Sequence, residues 1–480
     1  MEKRLPTWKK LVYGSGTYGL AGFGMLRQIF YAIFLTDVVG LDPRLASLGA
    51  LVGIFWDALN DPLVGMLSDR VRSRWGRRRP FLLWFTIPFA LSFVILWWSP
   101  PWESQLALAA YVTLAFMLSD TLGTLVAVPY TAMTPELTPD YDERTSLASY
   151  RMFFQLAGSL TTALAAPSIV DAALLNGLSQ QQGYLIVSGM FGAIAVPPLL
   201  LIFFTIKDGS DEKPAEAPLD FRAAMRTAWA NIPFRFAASL NMLNWMAADL
   251  VALVIPYYLL YWIARGDLTA SVHIFGLELS LESGVLGLLI LTAILAIPFW
   301  GWLATRLSKR ATYLIGVIPW LLAYLALVFV QPGQTDLILG IAAFAGLGLA
   351  TGYVLPEAIF PDVIEWDELI TRRRQEGIYY GIKNFFRKIS GAVAFFLALQ
   401  MLGLAGYQTP PDGAINFMQP ASALAVIRFL VGPMGLLLLL GAMALAAFYP
   451  LTRERHTRIR RLLARRKERS ESAESDPGGG

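Results

Sequence analysis

Residues 45–67 read LASLGALVGIFWDALNDPLVGML. The run is long and apolar enough to cross a hydrocarbon core, which takes roughly 20 residues of helix. Yet it carries Asp57 and Asp61, four residues apart and therefore on one helix face. A carboxylate at the bilayer centre costs about 2.5–3.5 kcal/mol on insertion scales, so two of them need a positive partner. Two readings meet that need: a bound cation, or a basic side chain that pairs with them as structural glue.

Composition extends this reading to the whole chain. With 56% hydrophobic residues, 15% charged and a mean hydropathy of +0.52 over 480 residues, the sequence is too apolar for a soluble protein and predicts an all-α polytopic membrane protein. Twelve spans are expected, beginning near Leu11, Leu45, Pro80, Gln105, Thr145, Tyr184, Ile232, Leu281, Ala311, Asp336, Gly377 and Ser422. The even count sets both termini on one side. Basic residues gather at 70–79, 306–310, 372–374 and 453–469, always after even-numbered spans, which assigns that side to the cytoplasm. The net charge of +4 thus reports topology, with no nucleic-acid footprint. The basic tail is either a solvated topogenic segment or a contact for anionic lipid, and 470–480 reads as disordered.

The absence of cysteine excludes disulfides and thiol chemistry. The two histidines, His273 in an external loop and His456 in the tail, exclude a histidine relay within the bundle, so any ion coupling must use carboxylates. Residues 1–10 are polar and the first span is long, which predicts an anchor rather than a cleaved signal peptide. The polar stretch after residue 206 divides the chain into a six-helix half 1–206, a cytoplasmic linker 207–230, a second six-helix half 231–452 and a basic tail 453–480. The halves share punctuation: Gly65-Met-Leu-Ser-Asp69-Arg70 with Arg77 to Arg79 recurs as Gly301-Trp-Leu-Ala-Thr-Arg306 with Lys309 and Arg310, six spans later. Repeated halves set a binding site near midplane between them.

These strings resemble a family. Gly-x-x-x-Asp-Arg followed by a basic cluster is similar to the signature of the major facilitator superfamily. The fuller pattern Trp56-Asp57-Ala-Leu-Asn60-Asp61-Pro62-Leu-Val-Gly65, with Gly76-Arg77-Arg78-Arg79-Pro80, Tyr13-Gly14, Asp37-Val-Val-Gly40, Lys388 and Gly406-Tyr407, resembles the glycoside-pentoside-hexuronide:cation symporters of the melibiose permease type. The resemblance implies that Asp57, Asn60, Asp61 and Thr124 hold the coupling cation, sodium at Asp57 and Asp61 above all, and that Lys388 lies close to it. Carboxylate, amide and hydroxyl oxygens suit a hard cation. Pro62 frees the carbonyl of Ala58.

The sugar-gripping positions depart from that pattern: Ala21 and Ala127 stand where the melibiose-type proteins have aspartates, and Thr131 where they have an aromatic. The sodium-dependent lysophosphatidylcholine symporter branch is more similar, through Val128-Pro129-Tyr130-Thr-Ala-Met-Thr134, Ser149-Tyr150-Arg151-Met152, Ile297-Pro298-Phe-Trp300-Gly-Trp302 and Ala405-Gly-Tyr-Gln-Thr409. It implies that Arg151, Asp249 and Lys388 contact a zwitterionic headgroup; the alternative is an Arg151 to Asp249 ion pair that joins the halves. A cytoplasmic gate is expected from Asp69, Arg70, Glu143, Arg144 and Asp367, with Asp362 and Glu365 nearby.

Other features read plainly. The glycines between 346 and 352 predict close helix packing, and Trp97, Trp98, Trp102, Trp262 and Trp366 an aromatic belt. An intramembrane aspartyl protease needs its carboxylates on two helices, so catalysis is not expected. The expectation is a monomeric cation-coupled symporter in a plasma membrane of bacterial inner-membrane type. It would use no cofactor beyond sodium as coupling ion and would move an amphiphile such as a lysophospholipid, with a glycoside as the alternative; its partners are that small-molecule or lipid substrate and membrane lipids.

Overall fold

The structure, a computed structural model, describes residues 5–138, 141–206, 221–274, 276–371, 376–411, 414–451, 454–459, 461–463 and 465. Among them are twelve helices long and apolar enough to cross a membrane. The first six are α1 (Thr7–Ile33), α2 (Pro43–Arg70), α3 (Arg79–Leu96), α4 (Gln105–Ala132), α5 (Tyr141–Leu175) and α6 (Gln180–Thr205). A short helix α7 (Phe221–Ala230) follows. The last six are α8 (Ile232–Tyr257), α9 (Leu281–Arg306), α10 (Lys309–Phe329), α11 (Thr335–Thr371), α12 (Glu376–Leu404) and α13 (Ala421–Ala447).

Six of the starts have a side-chain cap. Ser104, Ser179, Asn231, Ser280 and Ser308 cap α4, α6, α8, α9 and α10 by accepting a backbone N–H of the first turn. Asp42 does the same for α2, ahead of a proline at its first position. A π-turn lengthens α1 at Phe34–Val38 and another lengthens α8 at Tyr258–Ile263, so the same device closes the first and seventh spans.

Small residues let the helices touch. A Cβ on Gly346 would fall 1.9 Å from Thr292 Oγ1, and one on Gly348 would fall 2.5 Å from the Trp320 backbone, so the glycine run of α11 is a packing surface. Tyr13 of α1 and Tyr130 of α4 donate to each other's carbonyls at 2.6 and 2.5 Å, which satisfies both phenols inside the bundle.

The structure adds detail to two expectations and changes a third. The polar linker contains α7, whose Ala228 is buried and whose Trp229 meets Phe386 of α12. The external loop of His273 is a hairpin of β1 (Ser271–Ile274) and β2 (Leu277–Ser280), with His273 opposite Glu278. Trp97 is no belt residue: it is 1% exposed and stacks on Tyr184 at 5.1 Å, because the rotation of α3 turns it toward Phe34, Phe93 and Tyr184.

Candidate ion and substrate site

Asp57, Asn60 and Asp61 lie on successive turns of α2. Across from them, Lys388 of α12 lies 2.8 Å from Asp57 and also pairs with Asp61. Thr124 of α4 donates to Asp61 Oδ1 at 3.3 Å. Asn60 is buried, and its amide nitrogen has no hydrogen-bond partner among the described residues. The structure therefore brings Asp57, Asp61, Thr124 and Lys388 together, with the ammonium group between the two carboxylates and Asn60 next to Asp61 in α2. Among the described residues no cluster of three or more His, Cys, Asp or Glu is arranged to hold a metal. An ion held here would rest on two carboxylates and neutral oxygens, a donor set suited to a hard cation.

Two further ion pairs stand beside this one. Arg27 of α1 meets Asp120 of α4 at 3.0 Å, and Asp120 Oδ2 is buried without a described partner. Arg387 of α12 grips Asp249 of α8 at 2.5 and 3.0 Å, and Gln28 of α1 donates to the same carboxylate at 2.7 Å. Arg387 also lies over the Trp245 ring at 4.0 Å and Arg27 over Phe116 at 4.9 Å. Each pair joins two helices, and leaving either member alone inside the bundle would cost several kcal/mol.

The pairs surround a cavity of about 340 Å³. Its charged lining is Arg27, Asp57, Asp120, Asp249, Arg387 and Lys388. Its apolar lining includes Ala46, Ala50, Val112, Phe116, Leu253 and Phe395. With Asp61 counted, four carboxylates face three cations, so the site carries one surplus negative charge when all are ionised.

Arg151 departs from its expected place. It is not part of this cavity lining; it donates to Thr134 at 3.1 Å and lies over the Tyr130 ring at 5.2 Å, at the far end of α4. Asp249 is accordingly paired with Arg387 and not with Arg151. Arg387 reaches Asp249 from α12, while Arg151 is turned to Thr134 and Tyr130.

Of the expected gate, the side chains of Asp69 and Arg144 lie outside the described residues, as do residues 372–374, and Arg70 is exposed. Glu143 takes Lys10 at 2.9 Å, Asp362 takes Lys309 at 2.7 Å, and Asp367 accepts from Thr371. These contacts stay within the first six or within the last six helices. Side-chain contacts between the two groups are found at the opposite end. There Asp37 accepts from Tyr407 at 2.5 Å and from Tyr261, Thr36 meets Tyr257 at 3.0 Å, and Gln400 donates to Ser47 at 2.7 Å.

Arg27, Gln28, Asp120 and Arg387 were missed in the sequence. The signal was present: each is a polar residue inside an apolar span, and Asp120 precedes Thr124 by one turn. Arg387 immediately precedes Lys388, the residue that the family resemblance singles out.

A family model described as MFS/sugar transport protein matches residues 12–453. An uncharacterized symporter of Synechocystis sp. is 31% identical over 96% of this chain and 97% of its own length. The sodium-dependent lysophosphatidylcholine symporter 1-B of Danio rerio is 28% identical over 99% of this chain and 93% of its own, and the isoprimeverose transporter of Lactiplantibacillus pentosus is 26% identical over 86% and 83%. Among solved structures, a bacterial homologue of the human drug peptide transporters superposes with a TM-score of 0.63 at 11% identity, covering 95% of this chain and 98% of that one, a likeness of fold alone. With the model matched from the first span to the last, the chain belongs to the MFS/sugar transport protein family and is a symporter-type membrane transporter, not an enzyme.

Proposed function

We propose that the protein is a sodium-coupled symporter that moves an amphiphilic substrate of the lysophospholipid kind by alternating access. It works as a monomer in a plasma membrane of bacterial inner-membrane type, with both termini in the cytoplasm. The observation that carries the reading is the Lys388 ammonium between Asp57 and Asp61. An ammonium group so held stands in for a monovalent cation. Sodium and Lys388 then compete for the two carboxylates, Asn60 and Thr124 adding neutral oxygens on the sodium side, and sodium entry frees Lys388 toward the cavity.

The surplus negative charge of the site favours one added monovalent cation. The cavity supports an amphiphile because its lining combines charged pairs with aliphatic and aromatic side chains. Residues 1–206 and 231–452 act as the two rocking halves. The hydrogen bonds of Asp37 hold them together at the end away from the termini, and Asp57, Asp61 and Lys388 bridge them at midplane.

Likeness to the isoprimeverose transporter favours a second reading, a cation-coupled glycoside symporter. Uptake into proteoliposomes of labelled lysolipid against a panel of glycosides, with and without a sodium gradient, tests both. Sodium-driven lysolipid accumulation is expected. Sodium-driven uptake of a glycoside with no response to lysolipid would overturn the substrate, and equal uptake without the gradient would overturn the coupling.

A further inference from the structure

Two groups of the cavity have no part in the ion site. Arg27 has a side chain 38% exposed and Arg387 one 30% exposed, although both sit in membrane-spanning helices where a guanidinium needs a reason to be open. They come from two different helices, α1 and α12. Gln28, next to Arg27 in the chain, donates to the Asp249 that Arg387 grips. Aromatic rings back both, Phe116 under Arg27 and Trp245 under Arg387, so the planes of the two forks are set in advance.

The space before them is kept clear by glycine. A Cβ on Gly24, one turn before Gln28, would meet nothing within 4 Å; one on Gly391, one turn after Arg387, would lie 3.1 Å from Asp249 Oδ2 and 3.5 Å from Arg387 Nη1. Both glycines line the cavity. A larger residue at 391 would crowd the guanidinium–carboxylate pair, and a larger one at 24 would take up cavity space.

We propose that Arg27 and Arg387 form a receptor for an oxyanion, so that the substrate carries a phosphate or carboxylate group. Asp120 and Asp249 hold the two guanidinium groups when no anion is bound. A guanidinium fork matches the paired oxygens of such a group. Lys388 is held by its two carboxylates until sodium enters, and Arg151 is excluded by its place at Thr134. The coupling cation removes the surplus negative charge that would otherwise repel an anion, so anion and cation bind with positive cooperativity. The inference rests on the proposed use of this cavity for substrate and deepens that reading.

The test is equilibrium binding to the full chain in nanodiscs with two matched pairs of ligands. One pair is a lysophosphatidylglycerol against the monoacylglycerol of the same chain; the other is a nitrophenyl glucuronide against the nitrophenyl glucoside. Wild type is expected to favour a charged member by on the order of tenfold or more, and more strongly with sodium than with choline. R387Q combined with D249N, and R27Q combined with D120N, remove a whole pair and leave no orphan carboxylate; each should erase most of that preference. R387K, which keeps charge but loses the fork, should fall between. No preference for the charged member in either pair, or full preference in both double variants, overturns the receptor. Preference confined to the glycoside pair keeps the receptor and overturns the lysophospholipid reading alone.

Discussion

Replacing Lys388 by alanine removes the cation that neutralises two carboxylates at once. Breaking a buried pair from one side costs about 3–5 kcal/mol, but the site is not uniformly dry. The Asp61 side chain is 38% exposed and the Lys388 side chain 29%, whereas Asp57 is 20% exposed. Solvent therefore screens most of the Asp61 share, and the cost comes mainly from Asp57 and falls at the low end, about 3 kcal/mol. The same change vacates the space between the carboxylates, so sodium no longer competes with an ammonium group. At a sodium concentration about 100 times its Kd the ion returns about 2.7 kcal/mol to the folded state, nearly the whole loss. The assay is thermal unfolding of purified K388A and wild type in detergent, titrated with sodium chloride against choline chloride. K388A should melt well below wild type in choline and rise steeply with sodium, while wild type rises little. In proteoliposomes K388A should bind sodium yet fail to couple it to uptake. A K388A protein as stable as wild type in choline, with no greater sodium response, would refute the reasoning. D57N added to K388A should recover part of the choline-only stability, which a double-mutant cycle measures.

D57N or D61N should abolish sodium-driven uptake while the protein still folds, since each removes a ligand and a buried charge together; retained accumulation in both would remove the ion assignment. D37N weakens the hydrogen bonds from Tyr261, Tyr407 and Thr36. It should open the end away from the termini, read as faster labelling of a single cysteine introduced at Gln400 in this cysteine-free chain; an unchanged labelling rate would show that these bonds do not hold the halves. D42A should cost about 1 kcal/mol by uncapping α2. Hydrogen bonding from Arg44 holds the Asp42 carboxyl below its ordinary value. Its contribution is therefore present above about pH 4 and lost as pH falls through the lower, folded-state value. Melting of D42A and wild type should accordingly converge in acid.

Much of this architecture is legible without coordinates because a bilayer allows so few solutions. Spans expected from Gln105, Ile232 and Leu281 begin at those residues, and the others begin within a few, since loss of hydrophobicity and a serine or asparagine cap coincide there. The pairing of Asp57 and Asp61 with a single partner was readable from the cost of burying them. Which residue that partner would be was readable only as a candidate. The position of Arg151 was not readable, because a shared membrane depth does not follow from a shared charge. The aromatic-belt reading of Trp97 failed for a related reason: hydropathy gives depth along a span but not rotation about it.

The sequence by itself determined that the chain crosses the membrane twelve times and that intramembrane carboxylates must be neutralised, because both follow from the free energy of putting each residue in hydrocarbon. Only the tertiary structure decided which cation meets which anion. Lys388 went to Asp57 and Asp61, Arg387 to Asp249, and Arg27 to Asp120. Such pairing acts over a few ångströms between helices far apart in the chain, so it depends on how each helix is rotated and how deep it sits, and neither is written in any local stretch of residues.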